Sequence, residues 1–318
     1  MALPQIDLRQ RSGGADSAFR GLTLAAGLLV LVILGLIAVT MSSKSMPAVR
    51  HMGANFFTNK RWSVPDKVYG ALGFIFGTLL TATIAVVLAV PVAIGIALFV
   101  TQVAPAWLRK PLVYTVDLLA VIPSVVFGLW GISFLAPKMV GFYRNLHSWF
   151  GGIPVLGGFF GPANTGRNFM TAGIILAIMI TPIVSSLARE VIDTTPQGER
   201  EGALALGATR WEMIRGAVLP HSKGGIVGAI MLGLGRAMGE TIAVTLTIGS
   251  GLGVIGRNLF ASGNSMPAII ASDWGEADTL QKSALILLAV VLFVLTLLIN
   301  FAAVAIVTRS TRHSQGAS

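Results

Sequence analysis

A chain of 318 residues that is 54% hydrophobic and only 11% charged, with a mean hydropathy of +0.79, is not a soluble globular protein, which carries about 25% charged residues. The absence of cysteine rules out disulfides and thiolate metal sites, and the four histidines, His51, His147, His221 and His313, lack the spacing of a metal site. The net charge of +10 is spread over the segments between apolar stretches. That spread argues for interfacial anchoring and topology, with a secondary bias toward an anionic solute, and against a nucleic-acid binder, which gathers its charge on one face.

The expected fold is an all-α integral membrane protein with six transmembrane helices, each needing about 20 apolar residues. Residues 21–41, "GLTLAAGLLVLVILGLIAVTM", form the first. The stretch is too long for a signal-peptide core and lacks a small-x-small cleavage site, so it reads as an uncleaved anchor. The second stretch, 68–103, exceeds one crossing and is expected to tilt or to extend past the bilayer, with a kink at Pro91. The third, about 113–136, contains Asp117 and Pro123. Asp117 reads as a helix-end charge beside Arg109 and Lys110, and Pro123 as a kink. The fourth is about 169–187 with Pro182, the fifth about 224–249, and the sixth about 283–308.

Lysine and arginine set the orientation, most strongly in short segments. Arg9, Arg11 and Arg20 precede the first span, Arg109 and Lys110 fill a short connection, and Arg309 and Arg312 follow the last span. The expectation is N-in and C-in, with cytoplasmic tails 1–20 and 309–318 flanking a six-span body at 21–308. The outside segments 42–67, 137–168 and 250–282 are long enough for a structured external cap.

Residues 188–223, "AREVIDTTPQGEREGALALGATRWEMIRGAVLPHSK", form the largest polar segment on the inside. Thr194 or Thr195 with Pro196 signals a helix start. Gly207 breaks that helix as a C-cap glycine. "ATRWEMIRGAVL" predicts a second, amphipathic helix with Trp211, Ile214 and Val218 on one face, ended by Pro220. Two readings stand: an interfacial hairpin with no partner, or a docking element.

None of the seven lysines sits in a phosphate-cradling G-x-x-x-x-G-K-[ST], so the chain is not its own ATPase of that class. "GLGVIG" at 251–256 matches a dinucleotide fingerprint by letters, but it follows a membrane helix rather than a strand. Its glycines are expected to end the fifth span.

That span carries "GLGRAMGETIAV" at 233–244. Gly225, Ala229, Gly233 and Ala237 recur every four residues, and Gly235 and Gly239 form a G-x-x-x-G pair, patterns that let a second helix approach closely. Gly228, Leu232, Arg236 and Glu240 fall on one helical line. A charge at mid-bilayer costs about 2.5–3.5 kcal/mol on insertion scales, and Arg before Glu at i,i+4 is the weaker order. Either the pair locks helices together or it faces a solute pathway. For a pathway, Arg236 suits an oxyanion through bidentate hydrogen bonds, and Glu240 would temper the attraction so that the ion is released. The hydroxyls of Ser124, Thr241 and Thr245 serve either an anion path or helix–helix hydrogen bonding.

"EGALALG" (201–207) followed by Leu219-Pro220 resembles the EAA motif of import-type ABC-transporter permeases. Gly202 stands at the first Ala of that pattern and Ala217 at its Ile, while Glu201, Ala203, Gly207, Leu219 and Pro220 keep register. The resemblance implies a coupling helix that inserts into a cleft on an ATPase subunit. "GLGRAMGETIAVT" (233–245), "DLLAVIPSVVFGLWG" (117–131), "FIFGTLLTATIAVVLAVPVAIGIALF" (74–99) and the aromatic pair at 56–57 are similar to the PstC-type permeases of phosphate ABC importers. Thr241-Ile242-Ala243-Val244 favours that type over its sister permease.

The resemblance implies alternating access in a bacterial inner membrane, with phosphate passing beside Arg236 and Glu240. The implied partners are a sister permease in a heterodimer, an external phosphate-binding protein, and two ATP-binding cassette subunits that hold the ATP and Mg. No cofactor on this chain, no catalytic residue and no nucleic acid are implied. The alternatives are a permease of the same architecture for sulfate or molybdate, and an ATP-independent channel or secondary transporter. A membrane-embedded enzyme lacks a clustered His, Asp/Glu or Cys site.

Overall fold

The computed structural model describes residues 14–315, with side chains from 16 to 305. The tail residues Arg9 and Arg11 and the side chains of Arg309, Arg312 and His313 lie outside the described residues. Six helices are long and apolar enough to cross a membrane: Asp16–Met52, Leu72–Val103, Ser124–Phe150, Phe169–Asp193, Arg210–Gly239 and Thr279–Ala305. The expected six-span helical architecture is present. Among the described residues, the only departure from all-helical structure is a two-residue antiparallel ladder that pairs Trp62 with Tyr69 and Ser63 with Val68.

Span four (Phe169–Asp193) is the hub. Span two packs along it through Ala85, Ala89, Ala93 and Ala97, one residue every four, each no more than 1% exposed. A methyl row of this kind brings two backbones close where no water is available to drive helices together. The approach is tight from the other side as well. A Cβ placed on Gly173 of span four would collide with the side chain of Ile84.

Span five joins spans two and four through the small-residue row read from sequence, and Ala93, Val184 and Ala229, one from each, share a buried cluster. A Cβ on Gly225 would strike Val191, and one on Gly233 would come within 2.5 Å of Val184 Cγ2. Ala229 and Ala237 are buried on the same face. Gly233→Leu is therefore expected to overpack this seam, at a cost of about 1–3 kcal/mol. A lower thermal unfolding midpoint in detergent checks it, with Gly235→Leu as the control, because a Cβ at Gly235 meets no atom within 4 Å in this chain.

The prolines do not behave alike. Pro47, Pro91 and Pro182 stay inside continuous helices. Pro123 does not. Helix Ala106–Val121 stops, Ile122 and Pro123 are extended (ψ 127° and 141°), and a new helix begins at Ser124. The expected kink is thus a full break, and the third span starts eleven residues later than the expected 113. A proline ring pushes the residue before it out of the α region, and at Ile122 the chain adopts that preference.

Pro220 departs in the other direction. It was expected to end a helix, yet Leu219–Gly239 starts there with proline in its first turn, where the missing N–H is no loss. The helical path continues upstream through a wider π turn at Ile214–Val218 to Arg210. Such a turn relaxes the clash between a proline ring and the carbonyl four residues before it. The predicted amphipathic face is also partial: Ile214 and Val218 are buried, whereas Trp211 is 61% exposed.

Residues 42–67, 137–168 and 250–282 gather at the end of the bundle opposite the 188–223 loop and form the expected structured cap. Phe169 and Met170 N–H groups donate to the carbonyls of Ala261 and Leu259 at 3.2 and 3.0 Å. The Met266 N–H donates to Thr78 Oγ1 at 2.9 Å. Tyr143 and Phe260 stack at 4.4 Å, and Trp62 packs edge-on against Tyr69 and Phe74. "GLGVIG" lies within this cap, after a helix that ends at Thr247. Its Gly253 sits at φ +66° against the Lys60 carbonyl, so its role is close backbone packing.

Candidate functional site

The "GLGRAMGETIAV" segment is not one helix. Leu219–Gly239 ends, Glu240 is extended (φ −70°, ψ 128°), and a six-residue helix, Ile242–Thr247, follows. The i,i+4 relation expected for Arg236 and Glu240 is therefore interrupted at Glu240 itself. No ion pair joins the two among the described residues. Arg236 lies on the exposed face of span five with Gly228 and Leu232, and Glu240 is half-buried. The Arg236 guanidinium has no hydrogen-bond or ion-pair partner among the described residues. Thr241 Oγ1 donates to the Gly239 carbonyl at 3.3 Å, and Thr245 Oγ1 to the Thr241 carbonyl at 2.7 Å. Both threonines thus satisfy backbone carbonyls next to the break.

The second break lies beside the first. Helix Ser124–Trp130 packs on Ile242–Thr247: a Cβ on Gly128 would fall 3.0 Å from Ala243 Cα, and one on Gly131 would fall 2.7 Å from Thr247 Cγ2. These contacts advance in the same sense along both helices. The two segments therefore run side by side in one direction, and both start at an interruption. Ser124 is the first helical residue of its segment and is half-buried.

Non-helical backbone at membrane depth is tolerated only inside protein or along a water-filled cavity. The two interruptions are adjacent, and Arg236, without a hydrogen-bond or ion-pair partner among the described residues, lies one turn before the second.

Arg167, which sequence reasoning missed, braces it. Its Nε donates to the Leu246 carbonyl at 3.0 Å and its Nη2 to the Thr245 carbonyl at 3.4 Å, capping the short helix at its C-terminal end. Asn168 next to it caps span four by accepting from the Thr171 N–H at 2.9 Å. An Asn before an apolar run is a readable start signal; an arginine reaching 79 residues along the chain is not.

Asp117 sits on the separate helix Ala106–Val121, and its carboxylate lies 3.7 Å from Arg189 of span four. The base beside it is thus neither Arg109 nor Lys110; Arg109 donates to the Thr101 carbonyl instead.

At the other end of the bundle, Gln197–Ala205 forms the first loop helix. It starts one residue after Pro196, and Thr194 and Thr195 precede it. Gly207 ends it at φ +85°, a backbone conformation that glycine adopts without penalty. Thr209 and Glu212 then close a capping box that starts the next helix. Glu201, Gly202 and Gly207 are exposed, Ala203 is half-buried, and Leu219 and Pro220 stand at the base of span five. Leu206 at the tip is 91% exposed, with Leu204 and Trp211 also exposed nearby.

A bundle with six helices long and apolar enough to cross a membrane, two adjacent helix breaks and a loop presenting an apolar tip defines a polytopic membrane protein. A model of the family described as binding-protein-dependent transport system inner membrane component matches residues 89–312, and the chain belongs to that family: it is a permease of the inner membrane. The phosphate transport system permease protein PstC of Xylella fastidiosa is 42% identical over 287 residues, 90% of this chain and 88% of that protein. PstC 2 of Mycobacterium tuberculosis is 41% identical over 317 residues, 96% and 95% of the two chains. A chain of a bacterial alginate ABC transporter, solved in complex with a periplasmic protein bound to alginate pentasaccharide, superimposes with a TM-score of 0.60 over 93% of this chain and 97% of that chain. At 18% identity, that likeness concerns the fold alone.

Proposed function

We propose that this chain is the permease subunit of an ATP-driven importer of inorganic phosphate in a bacterial inner membrane. The likeness to phosphate permeases over about nine-tenths of the chain supports the solute. The observation that carries the site is the pair of helix interruptions at Pro123 and Glu240, with the unpartnered Arg236 beside them. Arg236 is the anion-attracting group, through the bidentate geometry that guanidinium offers to an oxyanion. Glu240 limits retention, and Ser124 and Thr241 line the same passage.

The polypeptide runs N-in and C-in, with residues 1–20 and 309–318 as tails on the inner side. The loop 188–223 then faces the cytoplasm, and the cap faces the external phosphate-binding protein. Glu201, Gly202, Ala203, Gly207, Leu219 and Pro220 shape the element that docks on the ATPase. A sister permease completes the membrane pathway, two ATP-binding cassette subunits hold ATP and Mg, and their closure drives alternating access.

The test is reconstitution of the chain with those partners in liposomes, with uptake of labelled phosphate, sulfate and molybdate measured against ATP hydrolysis. ATP-dependent phosphate uptake that sulfate and molybdate do not compete away is expected. Sulfate or molybdate uptake without phosphate uptake would sink the solute assignment. Phosphate flux through this chain without an ATPase would sink the coupling.

A further inference from the structure

The loop helix Gln197–Ala205 has no buried side chain. Its one apolar attachment is Ala203, half-buried against the cluster that contains Ala188, Ile192, Ile214 and Val218. A single alanine buries too little surface to fix the orientation of a nine-residue helix. Polar ties take over that task, and they fall on two successive residues.

Arg200 reaches one way. Its Nη2 donates to the Ile192 carbonyl at 2.7 Å. That carbonyl belongs to the last turn of span four, at the negative pole of the helix, and it also accepts from the Thr195 N–H at 3.2 Å. The Arg200 Nε is itself buried without a partner, so the side chain is held in place rather than left in solvent. Glu199 reaches the other way: its carboxylate lies 3.5 Å from His221 Nδ1, in the first turn of Leu219–Gly239. Buried Thr195 and Ser222, 3.3 Å apart, close the same junction. The loop helix thus straddles spans four and five, gripping the end of one and the start of the other.

We infer that Arg200 is a positioning residue for transport: it clamps the loop helix to the end of span four, so that a displacement imposed on the loop is delivered to that span. The inference rests on the proposed docking of this loop to an ATPase. It assigns a role to a side chain outside the EAA-like positions and distinguishes the arm to span four from the Glu199–His221 arm to span five. A charge-assisted hydrogen bond of this length is about twice as strong as a neutral one, and methionine keeps the stem volume while removing the donor.

The experiment uses the full complex with sister permease, ATPase subunits and binding protein in liposomes. Three quantities are read: co-elution of the subunits, ATP hydrolysis, and phosphate imported per ATP consumed. Arg200→Met is expected to assemble and hydrolyse ATP while the phosphate-to-ATP ratio falls about tenfold, within the range of ordinary coupling energies. Arg200→Lys, which still offers a charged donor, is expected to recover most of the ratio. An unchanged ratio in Arg200→Met overturns the inference, and so does loss of assembly, which marks a folding role. Leu206→Asp serves as the reference for docking. If it leaves ATPase association intact, the docking reading itself fails. If it dissociates the ATPase while Arg200→Met keeps a normal ratio, only the role of Arg200 is lost.

Discussion

Arg236→Gln abolishes phosphate uptake by the reconstituted transporter, with a fall of at least about a hundredfold, while the subunits still co-elute. A hydrogen bond between ionised partners contributes about 1.5–3 kcal/mol, and about 1.4 kcal/mol corresponds to each tenfold change in binding. Two such bonds from one guanidinium reach the stated factor. Assembly survives because Arg236 makes no hydrogen bond or ion pair among the described residues and lies on the exposed face of its helix, so no polar tie among those residues is lost. Arg236→Lys falls between the two, since it keeps the charge and loses the planar fork. Loss of co-elution in Arg236→Gln would instead assign the arginine to the junction with a neighbouring subunit. Unimpaired uptake would remove it from the pathway.

Leu206→Asp separates the permease from its ATPase. Leu206 is 91% exposed at the tip of the 188–223 loop, so the substitution leaves the thermal midpoint of the isolated chain unchanged. Burying a leucine in a partner's cleft contributes about 1.5–3 kcal/mol, and a carboxylate in its place adds a desolvation cost. ATPase association, measured by titration in detergent, is expected to weaken by at least tenfold, and ATP-driven uptake is lost. Leu206→Met, of similar volume, restores association. Gly207→Pro reaches the same result through the backbone, because proline is fixed near φ −65° and this site sits at +85°. Wild-type association in Leu206→Asp would show that the loop tip is not the docking surface.

The membrane spans were legible because hydropathy over twenty residues is a local property. The seam of Gly225, Ala229, Gly233 and Ala237 was legible for the same reason, since its spacing fixes one face, and that face meets span four. The breaks at Pro123 and Glu240 were not. Pro47, Pro91 and Pro182 leave their helices continuous and Pro123 does not, so proline alone does not distinguish kink from rupture. At Glu240 no proline or positive φ announces the end; the interruption appears only where Ile242–Thr247 packs on Ser124–Trp130. Arg167 and Arg200 were illegible for a further reason. Each donates to a carbonyl, and every residue carries one, so no residue-type pairing marks the contact. The Arg236–Glu240 pair shows the limit of helical spacing: it assumes that the helix continues.

Spans two and five press on span four and on each other through an alanine row and a glycine-containing row, with gaps at Gly173, Gly225 and Gly233 too small for an added methyl group. Such contacts are as dense as an organic crystal and transmit strain with little compression. On the proposed docking of the loop, spans two, four and five form a single stiff lever loaded at the Gly207 tip. No slack is available within the stack to absorb the stroke. On that same proposal the compliance lies where the helices are already broken, and work done at one end of the lever is expected to be released as bending at Pro123 and Glu240.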